Sequence, residues 1–391
     1  MIRSLMLGLF LTSPAFVLGE TKRVRADLLI VGGNESGCAA AIQAARMGVK
    51  SIVLVNDIPW LGGQFSAQGL AAIDESADGT GVRHTLPIPR SGIFKEIMNR
   101  IEAKNLKKLG RKQPGNTRVI TTCRPADAEQ VFREMLAPYI KSGQIRLFEN
   151  YHPIRAQTSE DGKRLKGVSF QSLKKGQHQL DVQAKLTIDA SDWGDVVKLV
   201  ADYEFGPDLK KKYSEPLAPT SRKGYPITDM NPITMTMTIV QTEKGQIIPK
   251  PKTYDARNYI KLPYPMTHEF FYTSRRVIDH YAYKEIKHPD VLLLCHPAQD
   301  YPLDVLPKRV VDALEKDEKG ASKKNIVQMT RAQREIIFAD ARQHSLGLLY
   351  YLQTQLKKQP EDRHFARFKL TVEFGTPDRL PWAPYIRQSL R

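Results

Sequence analysis

From Ala26 to Gly63 the chain passes through an apolar run, a glycine turn, a run of small residues and a second apolar run. That order constrains the fold more than any other feature. ADLLIVGG reads as a buried strand ending in a turn, NESGCAAAIQAARMG as a helix, and VKSIVLVND as a second buried strand. A tight glycine turn brings backbone N–H groups and a helix N-terminus up to a pyrophosphate, and the helix dipole favours its negative charge. The alanines of the helix allow close packing on the sheet. The unit reads as a dinucleotide-binding βαβ. The alternative is a structural βαβ whose glycines only shape a turn.

The glycine spacing departs from G-x-G-x-x-G: the positions are Gly32, Asn34 and Gly37, with Gly33 between the first two. Asn is the non-glycine residue that best tolerates positive φ, so the turn is expected to survive with the Asn34 side chain turned from the phosphate. An acidic residue about 20 positions on usually takes the ribose hydroxyls. Here that place falls to Asn56, with Asp57 beside it.

A chain of 391 residues can bury a large core and is expected to form two domains. Residues 1–19 read as a secretory signal, with Arg3, the apolar LMLGLFL and small residues near Gly19. The alternative there is a buried N-terminal helix. Nothing later is long and apolar enough to span a bilayer. Export permits disulfides, but Cys38, Cys123 and Cys295 are odd in number and scattered, giving neither a disulfide framework nor metal spacing. The net charge of +17 comes from lysine pairs and triplets dispersed along the chain. Nucleic-acid binders gather charge on one element, so nucleic acid is excluded as a partner. The charge reads as solvated surface, or as attraction to an anionic glycan or envelope.

Residues 91–105 are expected to form an amphipathic helix, with Ser91 as N-cap and Phe94, Ile97 and Ile101 on one face. A second helix is expected over 127–141 and a strand over 145–151. Hairpins follow, turning at Asp161-Gly162 and Lys175-Gly176, and then a return strand, LTIDASD, at 186–192. Nicotinamide dehydrogenases continue with further βα units, whereas a three-stranded meander crossover belongs to flavoprotein domains. The chain resembles the secreted bacterial FAD-dependent oxidoreductases, a family related more loosely to the heterodisulfide reductases. The segments that carry this are VGGNESGCAAAIQAARMG, WLGGQFSAQGLAAID, IPRSGIF, NTRVITTCRP, TIDASDWGDVVKLV, DYPLDV, SLGLLYYLQT and EFGTPDRLPWAPYIR.

The resemblance implies an α/β fold: a Rossmann-like FAD-binding domain of the glutathione-reductase type over 20–203, with a β-meander crossover, and an α+β substrate domain over 204–391. It implies FAD as cofactor, cradled by Gly32, Gly33, Asn34 and Gly37, with Asn56 on the ribose. Gly62 and Gly63 would pass close to the flavin, with Gln64 and Ser66 nearby. Asp189 to Asp192 corresponds to the wider class's ATG motif, placing Ser191 and Asp192 against the cofactor. Asp195 reads equally as a functional group or as a charge on a helix N-terminus. PITMTMTIV at 232–240 is expected to be an alternating strand. Candidate groups facing a substrate are His268, Arg90 and Arg387, with Arg124 and His296 behind them, because imidazole titrates near working pH and guanidinium anchors carboxylates or polyols. No metal is expected.

The class's final return to the FAD domain is not found before Arg391, which raises the expectation of a shortened chain with an exposed sheet edge. Three readings stand: an exported FAD-dependent oxidoreductase acting on a small organic substrate, such as a sugar or hydroxy acid, with an unassigned electron acceptor; a nicotinamide-dependent dehydrogenase; and a non-catalytic envelope or glycan-binding protein.

Overall fold

A computed structural model describes residues 21–73, 90–117, 121–176, 178–205, 208–221, 223–224, 230–260, 268–283, 288–356 and 364–387. The expected secretory segment lies outside these.

The opening unit forms as the apolar pattern dictates. Strand β1 (Lys22–Val31) leads through the glycine turn into helix α1 (Glu35–Arg46) and strand β2 (Ile52–Asn56), whose five residues are all buried. Two longer helices follow, α2 (Gly92–Leu109) and α3 (Pro125–Lys141), then strand β3 (Ile145–Glu149). A meander of β4 (Tyr151–Thr158), β5 (Leu165–Ser172) and β6 (Leu180–Asp189) completes one six-stranded sheet, ordered β3-β2-β1-β6-β5-β4. β3, β2, β1 and β6 run parallel, while β4 and β5 are antiparallel additions.

Both faces of β2 and of the second half of β1 are covered. Leu28, Ile30, Ile52 and Leu54 pack with Ile42 of α1, Met98 of α2 and Phe132 of α3. Leu29, Val31, Val53 and Val55 face the opposite side with Val168, Phe170 and Val182 of the meander. The strand alternation therefore sorts β1 between two cores.

The expected separate return strand is corrected. One ten-residue strand, β6, serves both as the third meander strand and as the partner of β1, pairing Lys22 with Leu180 and Val31 with Asp189. LDVQAKLTID holds no Gly, Pro or Asn to interrupt it. The second half of β6 has one uncovered face, where Leu186 is 62% exposed. Helix α2 also differs from expectation. Ser91 stands at its N-cap but makes no capping hydrogen bond, and Phe94 lies on the exposed side.

The remainder builds a second sheet. Strands β7 (Met237–Gln241), β8 (Arg276–Ile278), β9 (Val291–Leu294) and β10 (Phe368–Leu370) pair antiparallel in the order β8-β9-β7-β10. Helix α4 (His268–Ser274) packs against it, with helix α5 (Lys308–Asp317) and the 24-residue helix α6 (Arg331–Thr354) alongside. Leu348, Leu349 and Leu352 of α6 share a core with Met237, Ile239 and Leu292. The expected alternation in PITMTMTIV does not become alternating exposure: Ile233 to Ile239 are all buried. Of the threonines, Thr236 meets the first unit, its Oγ1 donating to the Gln68 carbonyl at 2.8 Å, while Thr234 Oγ1 donates to Asp300.

The three cysteines are free. Among the described residues no helix is long and apolar enough to cross a membrane, and no cluster of three or more potential metal ligands occurs.

Candidate functional site

The parallel strands β1, β2 and β6 end side by side, and the turns leaving them enclose a cleft with about 820 Å³ of space free of protein atoms, its open mouth included. Its floor is Gly32, Gly33 and Asn34, with Asn56 and Asp57 from the end of β2 and Ser191, Asp192 and Trp193 from the end of β6. Ligands of open α/β sheets collect beyond the carboxyl ends of strands in this way.

Gly32 takes φ +108°, and a Cβ there would collide with the Ala190 carbonyl. The expectation that Asn34 takes positive φ is corrected: its φ is −71° and it is the N-cap of α1. Its Oδ1 accepts from Gly37 N–H at 2.9 Å, and its Nδ2 donates to the Ala190 carbonyl. The left-handed residue required by the turn is Gly32, two positions earlier. Gly37 lies where a Cβ would strike the Gly32 carbonyl, so it serves the contact of helix with turn.

Asn56 lines the cleft with its amide already engaged. It is 5% exposed, its Oδ1 accepts from Gly33 N–H at 2.9 Å, and its Nδ2 donates to the carbonyls of Ile58 and Trp60 at 2.9 Å each. Both amide hydrogens are thus spent on backbone, and the side chain holds the glycine turn in place. The neighbouring Asp57 also lines the cleft, 3.6 Å from Arg331. Gly62 and Gly63 fit the chain against helices: a Cβ would strike Phe132 at the first and Glu35 at the second. The Gln64 amide N–H donates to Glu35 at 3.1 Å and its side chain to the Ile386 carbonyl at 3.2 Å. Ser66 is buried with its hydroxyl donating to the Leu61 carbonyl.

At the end of β6, Asp189 organises the turn. Its carboxylate accepts from Ser191 N–H and Oγ and from the N–H groups of Val196 and Val197. Ser191 lines the cleft, but its hydroxyl donates to Asp189 and accepts from Asp195 N–H. Asp192 faces the cleft beside Asn34 and Gln68, at 3.3 and 3.4 Å. Burial, reinforced by the nearby Glu35 carboxylate, pushes its carboxyl up to about 7. Asp195 has the opposite fate: burial would raise it, but Arg334 and Lys198 outweigh that and hold it at about 2. The salt-bridge geometry agrees, with both cations 2.9 Å away.

Asp192 therefore carries a pH signature. Its folded carboxyl lies above the unfolded value of 3.8, so the stability it contributes is fully present below that value and is lost as pH rises through about 7. Asp192→Asn is expected to flatten the decline in denaturant midpoint between pH 5 and pH 8. Parallel curves for the two chains would refute this placement of Asp192.

The second unit contributes part of the lining. Arg331 and Arg334, on the first turn of α6, reach across with Glu335 and Phe338. The start of the helix is fixed by a capping box of Thr330 and Gln333. Arg334 is 2% exposed, with its guanidinium 5.3 Å from the Trp193 ring. His152 also lines the cleft, its imidazole held low by burial even though Asp195 and Asp57 oppose this. The wall is completed by Trp60, Trp382, Ala383 and Pro384.

The substrate-facing candidates are not brought together here. Arg90 bridges α2, pairing with Glu102 at 2.6 Å and with Thr121 at 2.9 Å. Arg387 is bound to Asp300, Thr234 and the Pro232 carbonyl. Arg124 pairs with Glu373 at 3.1 Å, and His296 caps a turn by accepting from Ala298 N–H. His268 opens α4, and its side chain lies outside the described residues.

A family model described as FAD dependent oxidoreductase matches residues 27–391. Solved structures that match part of the chain include the L-proline dehydrogenase from P. horikoshii: 14% identity, 49% of this chain, 25% of that chain, TM-score 0.25. Another is the polycyclic ketone monooxygenase from the thermophilic fungus Thermothelomyces thermophila: 12% identity, 43% and 23% coverage, TM-score 0.28. An adenosine-5-phosphosulfate reductase matches at 14% identity over 87% of this chain and 57% of that one, TM-score 0.35. The chain spans about a quarter of the length of the first two.

Proposed function

The chain belongs to the FAD-dependent oxidoreductase family, and from that membership we propose that its cleft holds the adenosine diphosphate part of FAD and that the protein oxidises a small organic substrate. The observation that carries this reading is the glycine-floored cleft at the ends of β1, β2 and β6. Its residues fit a dinucleotide: side chains at Gly32 or Gly33 would be blocked by the Ala190 carbonyl or by Asn56, so backbone alone faces the ligand. Two buried nitrogens of the lining residues make no hydrogen bond, the Arg334 Nη1 donor and His152 Nδ1.

In this reading Gly32 and Gly33 lie under the diphosphate, Asp57 accepts from the ribose hydroxyls in place of Asn56, and Trp60 with Trp382 supplies an apolar side. Bound FAD would supply a two-electron acceptor for a hydride equivalent from the substrate. The second unit, with its tyrosines and arginines, suits a sugar or a hydroxy acid, and residues 1–19 suit export. The test is anaerobic mixing of the FAD-loaded chain with a panel of sugars and hydroxy acids. Bleaching of the flavin band by a member of the panel supports the reading. No bleaching across the panel by a chain that does retain FAD removes this substrate class.

A further inference from the structure

A diphosphate placed on this glycine turn meets an unusual electrostatic setting. The N-terminus of α1 is partly occupied by its own side chains. Asn34 takes the Gly37 N–H, and Glu35 sits in the first turn accepting from Gln64 N–H. Asp57, Asp192, Asp195 and Glu335 also line the cleft. The helix dipole alone offers about half a charge, which these carboxylates oppose. A dianion bound here needs further cations.

Among the described residues lining the cleft, the guanidinium groups are those of Arg331 and Arg334. Arg334 Nη2 donates to Asp195 Oδ1 at 2.9 Å, but its Nη1 is buried with no hydrogen-bond partner. A buried N–H left unmade costs about 1–3 kcal/mol, more on a charged group, so such a group is normally satisfied by something. Arg331 repeats the pattern more loosely. Its Nε makes no hydrogen bond and stands 3.6 Å from the Asp57 carboxylate, and its Nη1 stands 3.4 Å from Glu335. Both side chains sit on one turn of α6 and line the same cleft as the glycine turn.

We propose that Arg334, with Arg331 beside it, receives the diphosphate of the nucleotide, so that the second unit closes the cofactor site from the side opposite the glycine turn. Asp195 and Trp193 are then positioning residues, holding the guanidinium so that one edge of its fork stays free. This inference rests on the FAD reading but makes a separable claim about charge, since it requires the diphosphate and is indifferent to the isoalloxazine ring.

The test compares ADP with adenosine by calorimetric titration of the full chain, together with FAD retention. The native chain is expected to bind ADP well above adenosine. Arg334→Gln and Arg331→Gln should each weaken ADP binding about 10- to 100-fold, the range for a hydrogen bond to a charged group, and leave adenosine unchanged. Arg334→Gln strips Asp195 of a buried partner, so Arg334→Lys is run beside it. The lysine keeps the charge on Asp195 but loses the fork, and it too should narrow the preference for ADP. Folded variants whose ADP-to-adenosine ratio matches that of the native chain overturn the proposal. A native chain that retains FAD but does not distinguish ADP from adenosine also overturns it, leaving the FAD reading intact. Arginine-dependent ADP binding without FAD retention supports the proposal and removes the FAD reading, and binding of neither ligand removes both.

Discussion

Gly32→Ala is expected to abolish FAD retention, while Gly48→Ala leaves it intact. Both glycines have positive φ, +108° and +87°, so both substitutions incur the left-handed backbone penalty of roughly 1–2 kcal/mol. They differ in what the added methyl meets. At Gly48 there is no atom within 4 Å, whereas at Gly32 the methyl is driven into the backbone of Ala190 and Ser191. That backbone cannot yield cheaply, because Ala190 N–H donates to the Val31 carbonyl at 2.7 Å and Asp189 clamps the following turn. The turn must open, and the floor of the cleft goes with it. Chemical denaturation and flavin absorbance after desalting, measured on both variants, separate the two effects. Equal FAD retention in both would mean that the close approach at Gly32 is not needed for binding.

Asn56→Ala should destabilise the chain by about 3 kcal/mol. The substitution strands one buried N–H and two carbonyls, each costing about 1–3 kcal/mol when left unsatisfied, with water recovering part. Asn56→Asp discriminates between two roles. If position 56 held the ribose, a carboxylate would suit a diol and nucleotide affinity would rise. If Asn56 holds the turn, aspartate presents an oxygen to the Ile58 and Trp60 carbonyls where they need a donor, and stability falls at neutral pH. We expect the second result, with the loss easing as the pH is lowered and the new carboxyl protonates. A stable Asn56→Asp chain with tighter nucleotide binding would return the ribose to position 56.

These two positions show how much of the site is legible in the sequence. The βαβ unit and its glycine turn are legible because apolar runs and turn residues act locally, within 40 residues of chain. The meander is legible from its hairpin turns. The fate of individual side chains is not. Asn56 and Asp57 are adjacent in sequence and both line the cleft, and only the folded contacts show that the Asn56 amide is taken up by Gly33, Ile58 and Trp60. Motif spacing points to Asn34 for the strained backbone that Gly32 carries, because spacing identifies a turn without saying which residue is left-handed. The boundary between the meander and the return strand dissolves because β6 pairs with β1 and β5 at once, a tertiary fact.

Arg331 and Arg334 escape sequence reasoning for a different reason. Some 300 residues separate them from the glycine turn, and nothing local distinguishes two arginines three apart on a helix from solvated surface. The available signal is the capping box, Thr330 with Gln333, which starts α6 early enough to carry both arginines on its first turn. Arg90 and Arg387 illustrate the converse. Both stand in segments that resemble family motifs, yet each is engaged with a carboxylate, Glu102 and Asp300 respectively. Motif membership marks them as candidates without showing which carboxylates they pair with.

The most direct measurement is the flavin content of the purified chain after incubation with FAD and exhaustive desalting. One FAD retained per folded chain is predicted, together with its displacement by excess ADP, since the adenosine diphosphate part is what the cleft grips. A folded chain that emerges colourless would contradict this, as would retained flavin that ADP cannot displace.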